Sequence, residues 1–166
     1  MYGRPGEMQV RRGLYTADER RRRDNSSWTI VQGILAPLQF LIFLVSAVLV
    51  IRFLLTGEGL GAATVSVVVK TVALYAIMVT GSIWEHEVFG RYLFAPAFFW
   101  EDVVSMGVIA LHTAYLISLL TGSLDAHGQM WLALAAYATY VVNAGQFLLK
   151  LRAARLEASS FSEVTA

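Results

Sequence analysis

Apolar residues along this chain fall into four long runs separated by short polar stretches. The runs extend over residues 28–55, 62–84, 96–120 and 130–149. Each is long enough to cross a bilayer, because a membrane-spanning helix needs about 20 predominantly apolar residues. The pattern therefore predicts an all-α, integral membrane four-helix bundle over residues 28–150.

Polar segments flank the four runs on both sides. Residues 1–27 form a basic N-terminal arm, in which Thr16 and Glu19 fit the spacing of a capping box and predict a short basic helix. Residues 151–166 form a tail, and its last part, 158–166, is rich in serine and other small residues. We expect that last part to be frayed.

The distribution of positive charge predicts an orientation. Arginine and lysine are found in the arm, in the connection between the second and third runs (Arg91) and after the fourth run (Lys150, Arg152, Arg155), whereas the other two connections contain neither. By the positive-inside rule, both termini and the middle connection should be cytoplasmic. The first run is too long for a signal peptide, so we expect a multi-pass protein of the bacterial inner membrane, cytoplasmic or intracytoplasmic.

Composition supports the membrane assignment and excludes several kinds of chemistry. Hydrophobic residues make up 57% of the chain and charged residues 15%, and the mean hydropathy is +0.58. With no cysteine, the chain has no disulfides, thiolate metal ligands or cysteine nucleophile. We find no glycine-rich phosphate loop or zinc-ligand spacing, and we expect no nucleic-acid partner.

The stretch between the second and third runs, residues 84–102, contains the candidate chemistry. It combines four acids, His86 and Arg91 with seven aromatic rings. Charged groups at or inside a bilayer are costly, and they are a functional hypothesis by default. Glu101 and Asp102 are adjacent and should repel each other, so we expect one of them to hold a proton at neutral pH.

Helical spacing relates this stretch to polar residues deeper in the bundle. Glu101, Ser105 and His112 are separated by four and seven residues, and therefore share one helix face. Lys70 lies about 21 Å from the end of the second run and His112 about 24 Å from the start of the third, at 1.5 Å per residue. Because consecutive helices are antiparallel, we expect these two side chains to meet at the same depth.

Amide side chains on the outer two runs have a simpler interpretation. Gln32 and Gln39 share a face of the first helix, and Asn143 and Gln146 share a face of the fourth. Interhelical hydrogen bonds from such groups commonly stabilise membrane bundles, and we assign them that role.

Histidine spacing does not favour a resident metal centre. His86 lies at one edge of the membrane, His112 lies deep within it, and His127 is in the opposite connection, so no two can bind one haem from facing helices. The Glu-x-x-His pairs of di-iron bundles are absent as well.

Three segments resemble a known family. They are WTIVQGILAPLQF at 28–40, VVVKT at 67–71 and the stretch 84–102, which closes with FAPAFFWED. From these the chain is identified as a member of the 3-vinyl bacteriochlorophyllide hydratase family of bacteriochlorophyll biosynthesis, whose members are also called 2-vinyl bacteriochlorophyllide hydratases. The resemblance covers the chain from about Leu14 to about Leu149.

The resemblance implies a membrane hydro-lyase of photosynthetic pigment biosynthesis. Such an enzyme adds water to the C3 vinyl group of a chlorophyllide or bacteriochlorophyllide and forms a 1-hydroxyethyl group. The reaction needs an acid that is still protonated near pH 7. We expect Glu101 or Asp102 to deliver that proton, with the other or Glu85 orienting the water and His86 assisting the transfer.

The same chemistry suggests how the substrate is bound. His112 or His86 would be the axial ligand of the substrate's magnesium, and Lys70 or Arg91 would pair with its propionate. Four rings are expected to stack on the tetrapyrrole: Trp84, Phe98, Phe99 and Trp100. Because the magnesium arrives with the substrate, no redox cofactor, nucleotide or protein-bound metal is expected.

Two other functions use the same residues. A non-catalytic membrane pigment-binding or assembly subunit would use the rings and histidines and leave the vinyl group unchanged. A small transporter or proton-conducting bundle would use Lys70, His112 and Glu101, although the chain has no visible inverted repeat. A pocket completed by a homo-oligomer or by other pigment-biosynthesis enzymes also stays open.

Overall fold

The described part of the chain is helical almost throughout. A computed structural model describes the backbone of residues 13–164 and the side chains of residues 13–159. These residues form five helices: α1 (Ala17–Asn25), α2 (Ser27–Thr56), α3 (Leu60–Phe89), α4 (Phe99–Thr121) and α5 (Ala126–Val164).

Helix α1 begins with the capping box predicted from the sequence. The Glu19 N–H donates to Thr16 Oγ1 at 3.3 Å, and the Thr16 N–H donates to Glu19 Oε2 at 2.8 Å. The short helix packs beside the end of α3, where Ser26 donates a hydrogen bond to Glu87. The predicted short basic helix is therefore confirmed, and it is attached to the bundle.

The other four helices correspond to the four apolar runs. Each is long and apolar enough to cross a membrane, over Ser27–Thr56, Leu60–Phe89, Phe99–Thr121 and Ala126–Ser159. Many of their large apolar side chains point outward, as expected for surfaces that face lipid. For residues 13–164, the prediction of an all-α chain with four candidate spans is confirmed.

The stretch between α3 and α4 is shorter than the sequence indicated. Helix α3 continues to Phe89, beyond the predicted end at residue 84, because Gly90 is the first residue that caps it in the left-handed conformation, with φ 76°. Its N–H donates to His86 O at 2.9 Å. Helix α4 begins at Phe99 rather than at Pro96, because the intervening residues fold into a turn.

The last helix is longer at both ends than its apolar run. Asp125 accepts a hydrogen bond from the Gly128 N–H at 2.8 Å. Because this bond satisfies a free N–H of the first turn, α5 starts at Ala126. The helix then continues to Val164, through residues that we expected to fray. Residues 150–164 contain no glycine or proline and several good helix formers, so nothing in them ends the helix.

Short connections make consecutive long helices antiparallel. Helix α2 packs mainly against α3, and α4 mainly against α5. The α3–α4 connection therefore lies at the same end of the bundle as α1, and we call this the α1 end. Amide and hydroxyl groups join neighbouring helices, as in the bond from Gln32 Nε2 to Thr80 Oγ1 at 2.7 Å and that between Tyr75 and Thr113 at 2.6 Å.

Candidate active site

Two buried carboxyl groups meet at the α1 end of the bundle. Glu85, in the last turns of α3, and Asp102, in the first turn of α4, are 4% and 6% exposed. The two side chains lie close enough to interact with each other. Two ionised carboxylates repel each other in a buried site, so we expect one of the two to hold a proton. We call Glu85 and Asp102 the carboxyl pair.

Two consecutive backbone amides of the α3–α4 connection hold the carboxyl pair. The Phe94 N–H donates to Asp102 Oδ2 at 2.7 Å, and the Ala95 N–H donates to Glu85 Oε1 at 2.6 Å. Phe94 adopts φ 59°, in the left-handed region that a bulky side chain seldom occupies. This turn directs both amides at the carboxyls, and it is the reason that α4 starts after Pro96.

Glu101 belongs to a different contact. Its carboxylate forms a 2.6 Å ion pair with Lys150 of α5, and Lys150 also donates to the Ala97 carbonyl. The Glu101 carbonyl accepts hydrogen bonds from Ser105 Oγ and Asn143 Nδ2, both at 2.8 Å. Neighbouring residues on a helix point about 100° apart, so Glu101 faces α5 while Asp102 faces α3.

The four candidate aromatic residues divide into two groups. Trp84 and Phe98 pack inside a cluster with Tyr15 and Phe89, their own ring centroids 5.8 Å apart. Trp84 also donates to Thr29 Oγ1 at 2.9 Å. These two rings lie in the interior of the bundle and stabilise the helices that contain the carboxyl pair.

The other two candidate rings are exposed. Phe99 is 43% and Trp100 68% exposed. Two more rings of the α3–α4 connection are exposed beside them, and we call the four the aromatic face: Tyr92, Phe94, Phe99 and Trp100. Exposed tryptophan and tyrosine are typical of the membrane interface, and we expect this face to lie there.

His86 and Arg91 are exposed next to the aromatic face. The His86 ring stacks on Tyr92, with centroids 4.1 Å apart and planes 15° from parallel. His86 follows Glu85 directly in α3, and Arg91 follows the glycine that ends that helix. Both are therefore available to a molecule bound at this surface.

Lys70 and His112 lie elsewhere, deep in the bundle. Both are fully buried. That the two side chains meet at one depth stays a prediction. His112 lies ten residues from Asp102, and Lys70 fifteen from Glu85, or about 15 Å and about 22 Å along the helices. The structure thus separates these two residues from the carboxyl pair.

Two contributions to the site were not predicted from the sequence. Lys150 directly follows the fourth apolar run, and Glu101 lies near the start of the third. Because these two runs are antiparallel, both residues lie at the same end of the bundle, and this relation could have predicted their ion pair. The Phe94 and Ala95 amides had no comparable signal, because every residue except proline has a backbone N–H. Among residues 13–159, no three histidine, aspartate or glutamate side chains converge in a group that could hold a metal ion.

Comparisons with known proteins identify the relatives of this chain. A family model described as 2-vinyl bacteriochlorophyllide hydratase matches residues 15–153. The chain is 70% identical over 150 residues to the 2-vinyl bacteriochlorophyllide hydratase of Rhodobacter capsulatus, covering 90% of this chain and 87% of that protein. The protein of the same name from Cereibacter sphaeroides is 68% identical over 147 residues, which is 88% of this chain and 91% of the relative. No solved structure matches.

Proposed function

The chain belongs to the 2-vinyl bacteriochlorophyllide hydratase family, and from this membership we propose that it adds water to the vinyl group of a bacteriochlorophyllide or chlorophyllide. The product has a 1-hydroxyethyl group in place of the vinyl group. The observation that carries the proposal is 70% identity to a hydratase over nine tenths of the chain.

The carboxyl pair suits the chemistry of this hydration. A proton is added to the terminal carbon of the vinyl group, and the resulting positive charge spreads into the macrocycle. Water then forms a bond to the inner carbon and loses a proton, which returns to the carboxyl pair, so that the enzyme is restored. The acid must hold a proton near neutral pH, and two carboxyl groups that share one in a buried site meet this requirement.

Within this scheme the shared proton of Glu85 and Asp102 is the one transferred. After transfer both carboxylates are ionised, and the N–H groups of Phe94 and Ala95 stabilise the added charge. Glu101 acts as a positioning residue, because its ion pair with Lys150 fixes the first turn of α4.

The aromatic face is the proposed binding surface for the tetrapyrrole. Phe99 and Trp100 stack on the macrocycle, while Trp84 and Phe98 hold the surface from behind. His86 is the proposed axial ligand of the substrate's magnesium, in preference to His112, which is fully buried. Arg91 pairs with the propionate through its planar guanidinium.

We further propose that the reaction uses no redox cofactor or nucleotide. Both termini and the carboxyl pair face the cytoplasm, in the inner or intracytoplasmic membrane of a bacterium. This orientation is supported by the positive charge at the α1 end, which comes from the arginines of α1, Arg91 and Lys150. A second copy of the chain, or another pigment-biosynthesis enzyme, would cover the outer side of the bound macrocycle.

A pigment assay tests the proposed activity. Membranes containing the full chain are incubated with the vinyl pigment, and membranes lacking it serve as the control. We expect the pigment to gain the mass of one water only when the chain is present. Pigment that is bound but keeps its vinyl group would instead establish the non-catalytic binding subunit, and would overturn the hydratase.

A further inference from the structure

Helix α1 presents three arginine side chains that the rest of the described structure does not use. Arg20, Arg21 and Arg22 are exposed, whereas the next residue, Arg23, is partly buried. Within residues 13–159, the three exposed side chains form no ion pair, and the exposed Asp18 in the first turn of α1 forms none with them. Their positive charge is therefore available to a partner outside the bundle.

The other acids close to α1 already have partners. Asp24 is ion-paired with its neighbour Arg23 at 2.7 Å. Glu19 completes the capping box, and Glu87 of α3 accepts a hydrogen bond from Ser26. The negative charges of this region thus serve to hold α1 in place, and none of them forms an ion pair with the three exposed arginines.

Helix α1 is fixed to the bundle through its other face. The Arg23 guanidinium lies 4.7 Å from the centroid of the buried Tyr15 ring, and this ring stacks on Phe89 of α3. Thr29 Oγ1, in the first turn of α2, donates to the Arg23 carbonyl at 2.6 Å. A signal that only sets the orientation of the first span needs positive charge, but it does not need a folded helix attached to the bundle. The exposed arginines therefore have defined positions, which favours a binding role.

A shallow cleft of about 340 Å³ contains two of these arginines. Its lining comes from α1, from the start of α2 and from the end of α3, and consists of polar residues: Arg21, Arg22, Asn25, Ser26, Ser27 and Glu87. Ser27 is the first residue of one candidate span, and Glu87 lies two residues before the end of the next. Because both spans leave the bilayer at this level, we expect the two guanidiniums to lie among the lipid headgroups.

The chemistry of the cleft defines its ligand. Its two guanidiniums exceed the single negative charge of Glu87, and a guanidinium can donate two parallel hydrogen bonds to one phosphate. Positive charge at the membrane surface attracts anionic lipid. Helix α1 has the sequence ADERRRRDN and offers no large apolar side chain to the acyl region, so its contact with lipid must be electrostatic.

We propose that Arg21 and Arg22 bind the phosphate of an anionic phospholipid in this cleft. Arg20 adds positive charge beside it. A zwitterionic lipid has the same phosphate, but its cationic group is repelled by these arginines, so the cleft discriminates by net charge. The lipid site does not depend on the proposed activity, because none of its residues belongs to the candidate active site.

Native mass spectrometry of the full chain in detergent micelles tests the site. Phosphatidylglycerol and phosphatidylcholine with identical acyl chains are titrated separately, and Kd is measured for the first bound lipid. We expect phosphatidylglycerol to bind about 10-fold more tightly than phosphatidylcholine, since two basic residues contribute to the difference. Equal Kd values for the two lipids would overturn the proposal.

Two double variants with the same change in net charge locate the site. Arg21→Gln with Arg22→Gln should weaken the binding of phosphatidylglycerol about 10-fold and leave that of phosphatidylcholine unchanged. Arg152→Gln with Arg155→Gln is the matched control, because these exposed side chains lie on α5 beyond its apolar run, and we expect it to change little. Equal weakening in both double variants would show a response to net charge alone and would overturn the assignment to the cleft.

Discussion

Glu85 and Asp102 come from consecutive antiparallel helices, and their buried carboxyl groups are held by two consecutive backbone amides, those of Ala95 and Phe94. The neighbouring acids do not share this environment. Glu101 is ion-paired with Lys150, and Glu87 accepts a hydrogen bond from Ser26. One stretch of sequence with four acids therefore contains three different sets of hydrogen-bond partners, and only Glu85 and Asp102 share the amides of one turn.

The ion pair between Glu101 and Lys150 should stabilise the fold. Lys150→Met leaves the Glu101 carboxylate, 5% exposed, without its cation. We expect the free energy of unfolding to fall by about 1–3 kcal/mol, the cost of a buried charged group left unpaired. Unfolding by SDS in mixed micelles measures the change.

A second substitution separates stability from chemistry at this ion pair. Glu101→Gln combined with Lys150→Met removes both charges and should recover most of the lost stability. A Lys150→Met variant that is fully stable but binds pigment poorly would show that Lys150 contacts the substrate.

The left-handed backbone of Phe94 should limit which residues are accepted there. A β-branched side chain is strained at φ 59°, whereas glycine adopts this conformation freely. We expect Phe94→Val to be less stable than Phe94→Gly by about 1 kcal/mol, since strain of about 1–2 kcal/mol is partly offset by the larger unfolded-state entropy of glycine. Hydration should also be slower in the valine variant, because its amide is displaced from Asp102. Equal stability and rate in the two variants would contradict this role of the turn.

The exposed rings of the aromatic face should contribute to pigment binding. Removal of one stacking ring costs about 0.5–1.5 kcal/mol, so Trp100→Ala should raise KM for the pigment by about 2- to 10-fold with little change in kcat. Trp131 near the start of α5 is a matched control, because it is 62% exposed but lies at the other end of the bundle. If Trp131→Ala raised KM as much as Trp100→Ala, the proposed binding surface would be wrong.

The helices could be predicted from the sequence because their requirements are local. Span length is set by bilayer thickness, and the capping box needs only Thr16 and Glu19 at the right spacing. The burial of Lys70 and His112 followed from their position inside long apolar runs. The helix ends were less predictable, because α3 stops only at Gly90 and nothing in the last 15 described residues stops α5.

The pairing of the acids could not be predicted in the same way. Helical periodicity shows that Glu101 and Asp102 point in different directions, but it does not show which helix each one meets. That depends on the packing of α4 between α3 and α5, to which many apolar contacts contribute. The turn at Phe94 was equally hidden, because its function lies in two backbone amides.

We propose that hydration uses the proton shared by Glu85 and Asp102. Glu85→Gln tests it directly, since the glutamine can still accept from the Ala95 N–H and donate to Asp102, but it has no acidic proton to transfer. Glu87→Gln, on the same helix turn, is the control, because Glu87 contacts Ser26 instead. Both variants are assayed for hydroxyethyl pigment at equal amounts of folded protein. We expect kcat to fall about 100-fold or more for Glu85→Gln and to change little for Glu87→Gln; an unchanged rate in Glu85→Gln would contradict the claim.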